Sequence, residues 1–268
     1  MTVLAVIPAR LGATRLPRKP LRLLGGIPLI VRVAERVASL GVADECVVAT
    51  DSPEVMAVCS AAGVRAVLTH ADHPSGTDRV AEVAARAEFA HFSVILNVQG
   101  DEPFVRADAV IGAVDVVRRG DAPLGTAAAH AAAEVLQRPD VVKVVCTDAG
   151  RAMYFSRAPI PFLREASDAA WQVSLVRQHI GVYAYTREAL AHWVALPPHP
   201  LELTERLEQL RPLAHGLSIG VALVAAGGEG GIDTEDDLRR ADSLFASLSN
   251  TITGDALPSP FSPSSSSS

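Results

Sequence analysis

A strand–loop–helix unit recurs four times between residues 3 and 119, and that rhythm leaves few folds open. The run "VLAVIPA" is short, apolar and rich in Val and Ile. After a loop holding Gly and Pro comes "PLIVRVAERVASLG", where Ile30, Val33, Val37 and Leu40 keep helical spacing up to Gly41. The cycle repeats as "ECVVATD" with "SPEVMAVCSAAG", "RAVLT" with "GTDRVAEVAARA", and "SVILNVQGDEP" with "ADAVIGAVDVVRR". Strands joined through helices must lie parallel, so the pattern predicts an α/β chain with a doubly wound, mostly parallel sheet.

After about residue 124 the rhythm changes. "LGTAAAHA", "VKVVCT", "AMYFSR" and "HIGVYAYT" crowd together as strand candidates before helical spacing returns over 187–196 and 202–210. This predicts a mixed sheet with an antiparallel excursion in the second half. "LSIGVALV" and "TEDDLRRADSLFASL" close the pattern as strand and helix, the latter starting at Thr234 with acids in its first turn. The end, "ALPSPFSPSSSSS", has too few apolar groups to offset its ordering entropy, which sets one domain over 1–248 and a disordered tail over 249–268.

Composition removes several functions. A formal net charge of −6, with cations only in short clusters, argues against a nucleic-acid binder. No apolar run approaches a membrane span, and the start lacks a secretory pattern, so a cytoplasmic protein without a membrane partner is expected. Cys46, Cys59 and Cys146 lack metal or disulfide spacing and read as free thiols.

In open α/β sheets ligands bind beyond the carboxyl ends of the strands, and polar loops follow each of the first four strands here. The first carries Arg10, Arg15 and Lys19. It is neither GxGxxG nor GxxxxGK[ST], but two guanidinium forks and an ammonium beside backbone N–H groups suit a polyphosphate. On charge alone such a loop reads equally well as a solvated turn. "NVQGDEP" places Asp101 and Glu102 just past a strand, where Gly100 lets the chain turn, and "GGIDTEDDL" places Asp233 at a helix start. Asp101 with Asp233 would clamp a hard cation such as Mg²⁺, although an acid at Asp233 also suits the helix start by itself. His70, Asp72 and His73 are a weak metal pattern, and Tyr183 and Tyr185 alternate as sheet residues do.

Taken together, "IPARLGATRLPRKPL", "ATDSPEV", "HADHPSGTDR", "NVQGDEP", "VKVV", "YFSRAPIP", "HIGVYAY", "LELTERLEQLR" and "GIDTEDDL" resemble, in order over residues 3–245, the motifs of the 3-deoxy-manno-octulosonate cytidylyltransferase family. The resemblance implies a nucleotide-diphospho-sugar transferase fold and transfer of CMP from CTP to Kdo for lipopolysaccharide biosynthesis. It also implies Mg²⁺ as cofactor and a homodimer formed partly through the 124–186 excursion, which also serves the sugar. By motif, Arg10, Arg15 and Lys19 hold the CTP phosphates, Ser75, Gly76 and Arg79 meet the nucleotide, and Gln99 reaches between the substrates. Asp101 and Asp233 hold the metal, with Asp101 also beside CTP. Arg10, Arg15, Lys19, Asp101 and Asp233 form the catalytic set. Arg157, His179, Tyr185, Glu208 and Gln209 line the Kdo pocket. The chain departs from many members at Ala13 (Ser), Arg18 (Gly) and Gln178 (a basic residue). A cytidylyltransferase for amino-Kdo or sialic acid, and a non-catalytic nucleotide-binding module, stay open on the sequence.

Overall fold

Strand β1 (Val3–Ala9) sits inside the sheet because both its faces are apolar: Val3, Ala5 and Ile7 enter one core and Leu4 and Val6 the other. The structure, a computed structural model, describes residues 1–12, 15–165 and 173–254. Ala13, and the part of the expected tail from 255 onward, lie outside them. In the loop after β1, β2 (Leu23–Leu24) and β3 (Ile27–Pro28) form a small antiparallel pair. Helices α1 (Leu29–Ser39), α2 (Pro53–Ala61), α3 (Gly76–Ala85) and α4 (Ala107–Arg118) fill the expected crossovers. Ser52 and Ser75 cap α2 and α3, accepting from the Val55 N–H at 3.3 Å and the Asp78 N–H at 3.2 Å.

The parallel half consists of β1 with β4 (Glu45–Thr50), β5 (Ala66–Leu68) and β6 (Val94–Asn97). The second half adds β7 (Leu124–His130), β8 (Lys143–Cys146), β9 (Ala152–Ser156), β10 (Arg177–Thr186) and β11 (Ile219–Val224). The sheet runs β11–β7–β10–β6–β1–β4–β5, and the β8–β9 pair joins β10 opposite Gln178. β10 is antiparallel to both β6 and β7, which is the expected excursion, and its register shifts between Ile180 and Tyr183.

Helix α5 (Arg187–Ala195) follows β10, capped by Thr186. The continuous helix expected over 202–210 is instead two short ones, α6 (Pro200–Glu205) and α7 (Leu210–Ala214). The break falls at Arg206, whose left-handed φ of 55° closes α6, and Pro212 then lies in the first turn of α7, where a proline is tolerated. The last helix, α8 (Glu235–Gly254), runs six residues past the boundary read at 248, because no proline interrupts it before its end at Gly254. Among the described residues no helix is long and apolar enough to cross a membrane, and all three cysteines are free.

Candidate active site

The polar loops meet around a cavity of about 600 Å³ at the carboxyl ends of the central strands. Its lining brings together Arg10, Arg15 and Lys19 of the first loop, Ser75, Gly76 and Arg79 of α3 and its cap, Gln99, Asp101 and Asp233, and Arg157, His179, Glu208 and Gln209 of the second half. Tyr185 is the exception. It is fully buried in the core, and Tyr183, two residues earlier on the same face of β10, stands in the cavity wall instead.

Lys19 marks the centre. Its Nζ lies 2.5 Å from Asp101 and 2.9 Å from Asp233, and Arg15 reaches Asp233 at 2.9 Å. Burial lowers the Lys19 pKa, but the charges and hydrogen bonds of the two acids outweigh it and hold the ammonium above its usual value. Two carboxylates from loops 132 residues apart in sequence (233 − 101) thus converge on one cationic point. Hard oxygen donors around a cation fit Mg²⁺, and no third His, Cys, Asp or Glu joins them among the described residues. That number suits an ion that keeps water and substrate phosphates in its shell.

Two glycines make the convergence possible. A Cβ on Gly100 would lie 2.7 Å from the carbonyl oxygen of Pro8, so close approach to the end of β1, not a left-handed turn, fixes glycine there. A Cβ on Gly231 would press on the Asp101 carboxylate at 3.2 to 3.4 Å. The loop before α8 therefore lies over Asp101, tied by the Ile232 N–H to its carbonyl at 2.9 Å, and this delivers Asp233.

On the Ser75 side, buried Arg79 donates to Asp51 at 3.1 Å and to the Thr69 hydroxyl. Its guanidinium thus knits the ends of β4 and β5 behind the wall. The His70–His73 motif is a clip: His73 Nε2 lies 2.6 Å from Glu82, which also accepts from the His70 N–H at 2.8 Å. Against the effect of its burial, these bonds and Arg86 pull the Glu82 pKa down to about 2.

Around β10 and α5 the lining is aromatic. Tyr183 stacks on Tyr185 with centroids 6.1 Å apart, and Trp193 meets both rings edge-on. Burial holds the His179 pKa down to about 3, so the ring is neutral at any working pH. Thr126 Oγ1 donates to the Val182 carbonyl at 2.8 Å and lies 2.9 Å from His179 Nε2, which assigns the His179 proton to Nε2 and leaves Nδ1 an acceptor. The Tyr183 hydroxyl is buried without a partner among the described residues. Glu208 accepts from Thr77 at 2.8 Å, and burial raises its pKa against that bond. Arg157 is held by main chain: its Nε donates to the Glu205 carbonyl and its Nη1 to the Pro139 carbonyl, both at 3.0 Å. Buried Lys143 donates to the Arg138, Val141 and Arg157 carbonyls at 2.9, 2.8 and 2.5 Å, pinning this segment to β8.

Glu102 carries a pH signature. Burial, helped by the adjacent Asp101 charge, pushes its pKa up to about 7. The folded state therefore binds this proton more tightly than the unfolded chain. Stability falls as pH rises from about 4.5 to about 7. Glu102→Gln is expected to raise stability at pH 8 in EDTA by about 1–3 kcal/mol and to leave it unchanged at pH 4.5. Thermal melts at both pH values check this, and equal shifts at both would refute it.

Several cavity residues gave no signal in the sequence analysis. Tyr183 alternates with Tyr185 as sheet residues do, Trp193 lies inside the helix expected over 187–196, and Thr77 inside the helix candidate "GTDRVAEVAARA". Arg206 sat inside a predicted helix. Each becomes visible only when β10, α3 and the α6–α7 turn are set side by side.

The chain matches the family described as Cytidylyltransferase over residues 4–219. It is 71% identical over 243 residues to a 3-deoxy-manno-octulosonate cytidylyltransferase of Gemmatimonas aurantiaca, covering 91% of this chain and 94% of that one. A protein of the same name from Leptothrix cholodnii is 46% identical over 246 residues, covering 90% of each chain. Among solved structures, CMP:2-keto-3-deoxy-manno-octonic acid synthetase complexed with CTP superposes with a TM-score of 0.85 at 37% identity. That match covers 92% of this chain and 100% of the other.

Proposed function

The chain belongs to the 3-deoxy-manno-octulosonate cytidylyltransferase family, and from that premise we propose that its cavity transfers CMP from CTP to Kdo, releasing pyrophosphate. The observation that carries the reading is Lys19 of the cationic loop bound between Asp101 and Asp233, in a cavity that Tyr183 and Trp193 also line. The anomeric hydroxyl oxygen of Kdo attacks the α-phosphorus, the bond to the β-phosphate breaks, and the hydroxyl proton passes to solvent. No covalent intermediate with the chain is needed.

Arg10, Arg15 and Lys19 supply positive charge to the leaving pyrophosphate, where charge develops in the transition state. Ser75 and Gly76 at the start of α3 offer the nucleotide a helix amino terminus. Gln99, with Nε2 3.5 Å from Asn97 Oδ1, stands between the two substrates. Arg157, His179, Glu208 and Gln209 orient the sugar, His179 as an acceptor through Nδ1. Asp101 and Asp233 are the residues that would hold Mg²⁺. When bound, the ion supplies charge to the α-phosphate and lowers the pKa of the attacking hydroxyl.

The same reading carries a homodimer and a cytoplasmic site of action. Met153 and Phe162 in the 124–186 excursion are 62% and 80% exposed, which supports a partner surface there, and three free cysteines suit a reducing compartment. The test is pyrophosphate release from each ribonucleoside triphosphate with Kdo, amino-Kdo and sialic acid offered in turn. Release with CTP and Kdo is expected to exceed every other pair; preference for another sugar would reassign the acceptor. CTP binding with no release would leave only a binding module.

A further inference from the structure

Lys19 reaches the centre of the cavity from the stretch "RLPRKPL", in which Leu16 and Pro20 are buried while Pro17 and Arg18 face solvent. The two proline rings fix φ at 17 and 20, which leaves most of the segment's freedom to Arg18 and Lys19 between them. Arg18 has a φ of 57°, in the left-handed region, and directly precedes the 3₁₀ turn Lys19–Leu21. The Leu21 N–H closes that turn on the Arg18 carbonyl at 2.9 Å. A side chain is unfavourable at such a φ, which glycine takes freely, and the conformation persists where surrounding structure or function demands it. Arg206, the other non-glycine residue with positive φ among those described, ends a helix, where a left-handed residue is common. Arg18 opens a turn, and its backbone position gives no reason for an arginine.

The side chain supplies the reason. Arg15, Leu16, Lys19 and Pro20 line the cavity and Arg18 does not. Its guanidinium donates instead to the carboxylate of Glu54, which is no part of the lining either. Glu54 stands on a fixed element: α2 is capped by Ser52, buries Val55 and Cys59, and favours a carboxylate in its first turn through the helix dipole. The bond fastens the turn to the neighbouring crossover on its solvent side, while Leu16 and Pro20 hold it from the core. We infer that Arg18 is a positioning residue for the phosphate loop: latched to Glu54 in a left-handed turn, it holds the Lys19 turn in place before the nucleotide binds. It touches no substrate. A loop that is already ordered loses less entropy when a triphosphate arrives, so the latch acts on nucleotide affinity and not on the chemical step. This rests on the CTP reading of the loop proposed above.

The test measures the Kd for CTP by titration calorimetry with Mg²⁺ and without Kdo, and kcat with both substrates saturating, in Arg18→Gly, Arg18→Lys, Glu54→Ala and the double variant Arg18→Gly/Glu54→Ala. Glycine accepts the positive φ, so the melting temperature of Arg18→Gly should equal or exceed that of the wild type. Its Kd for CTP should nevertheless rise about 2- to 5-fold, the range open to a half-exposed ion pair, with kcat unchanged. Glu54→Ala should raise the Kd by a similar factor even though it removes a negative charge from the surroundings of the loop. The double variant should match the single ones, because all three break one bond. Arg18→Lys, which keeps the charge within reach of Glu54, should recover part of the loss. A Kd that rises in Arg18→Gly and falls in Glu54→Ala would reduce Arg18 to a bare charge and overturn the latch. Additive effects in the double variant, or an unchanged Kd throughout, would overturn it too. A wild-type chain that binds no CTP would instead overturn the nucleotide reading of the loop, and this role with it.

Discussion

Asp101→Asn and Asp233→Asn should each lower kcat about 10²–10³-fold while leaving the fold intact, because each removes one of the two charges that converge at the centre of the site. Asparagine keeps the size and one acceptor oxygen but cannot balance a divalent ion. The structural cost is small. Asp101 holds the loop before α8 through its main-chain carbonyl, which the substitution leaves in place, and the Asp233 side chain is 40% exposed. An ion pair as open to solvent as those of Asp233 contributes about 1 kcal/mol or less, and Asp101, at 23% exposed, leaves Lys19 still paired with Asp233 when it is replaced. Thermal melts should therefore move by a few degrees at most, while turnover at saturating CTP and Kdo collapses and its Mg²⁺ requirement climbs. Near-normal kcat in both variants would dismiss the clamp. A loss of activity matched by a loss of folded protein would show that the two acids act by holding loops together.

Lys19 is the internal control for that argument. In the Asp variants it loses one of the two groups that hold its charge in place, so its pKa should move back toward the ordinary lysine value. A divalent ion held by Asp101 and Asp233 would compete with the Lys19 ammonium and the Arg15 guanidinium for the same carboxylates, and would leave both cations to the phosphates.

The parallel half was legible because its signals are local. A short Val- and Ile-rich run, apolar residues at helical spacing and a glycine behind them act through the chain's own neighbours, and β1 and α1 followed from them. Asp101 and Asp233 were also legible, since each sits next to such a boundary. What escaped is non-local. Period two puts Tyr183 and Tyr185 on one face, and nothing in "GVYAYT" tells which will reach the cavity; the register shift after Ile180 and the packing of Trp193 decide it. Nothing local in the strand candidate "VKVVCT" foretells that Lys143 is buried on three carbonyls from two separated segments. The α6–α7 break is hidden because "LELTERLEQLR" has good helical spacing and an arginine is not a residue that announces a left-handed turn.

That break is held by the pair with the second large expected effect. Arg211 donates through Nε and Nη2 to Glu202 at 2.8 and 2.6 Å, with both side chains 9% exposed. Glu202 also accepts from the His199 N–H at 3.3 Å, so one carboxylate both starts α6 and binds α7. Arg211→Met strands that carboxylate in the interior, and a loss of about 3–5 kcal/mol is expected, which lowers the melting temperature by roughly 10 °C. The double variant Glu202→Leu/Arg211→Met removes the stranded charge and should regain most of the stability. It should not regain the sugar. Arg206, Glu208 and Gln209 sit on the turn that the pair folds back, and an apolar contact does not fix its direction as a two-point hydrogen bond does. The expected result is a double variant with near-native melting, a native KM for CTP and a raised KM for Kdo. A single variant within 1 kcal/mol of wild type would show that the pair is not buried enough to matter. Recovery of both stability and Kdo KM in the double variant would show that packing alone shapes the turn.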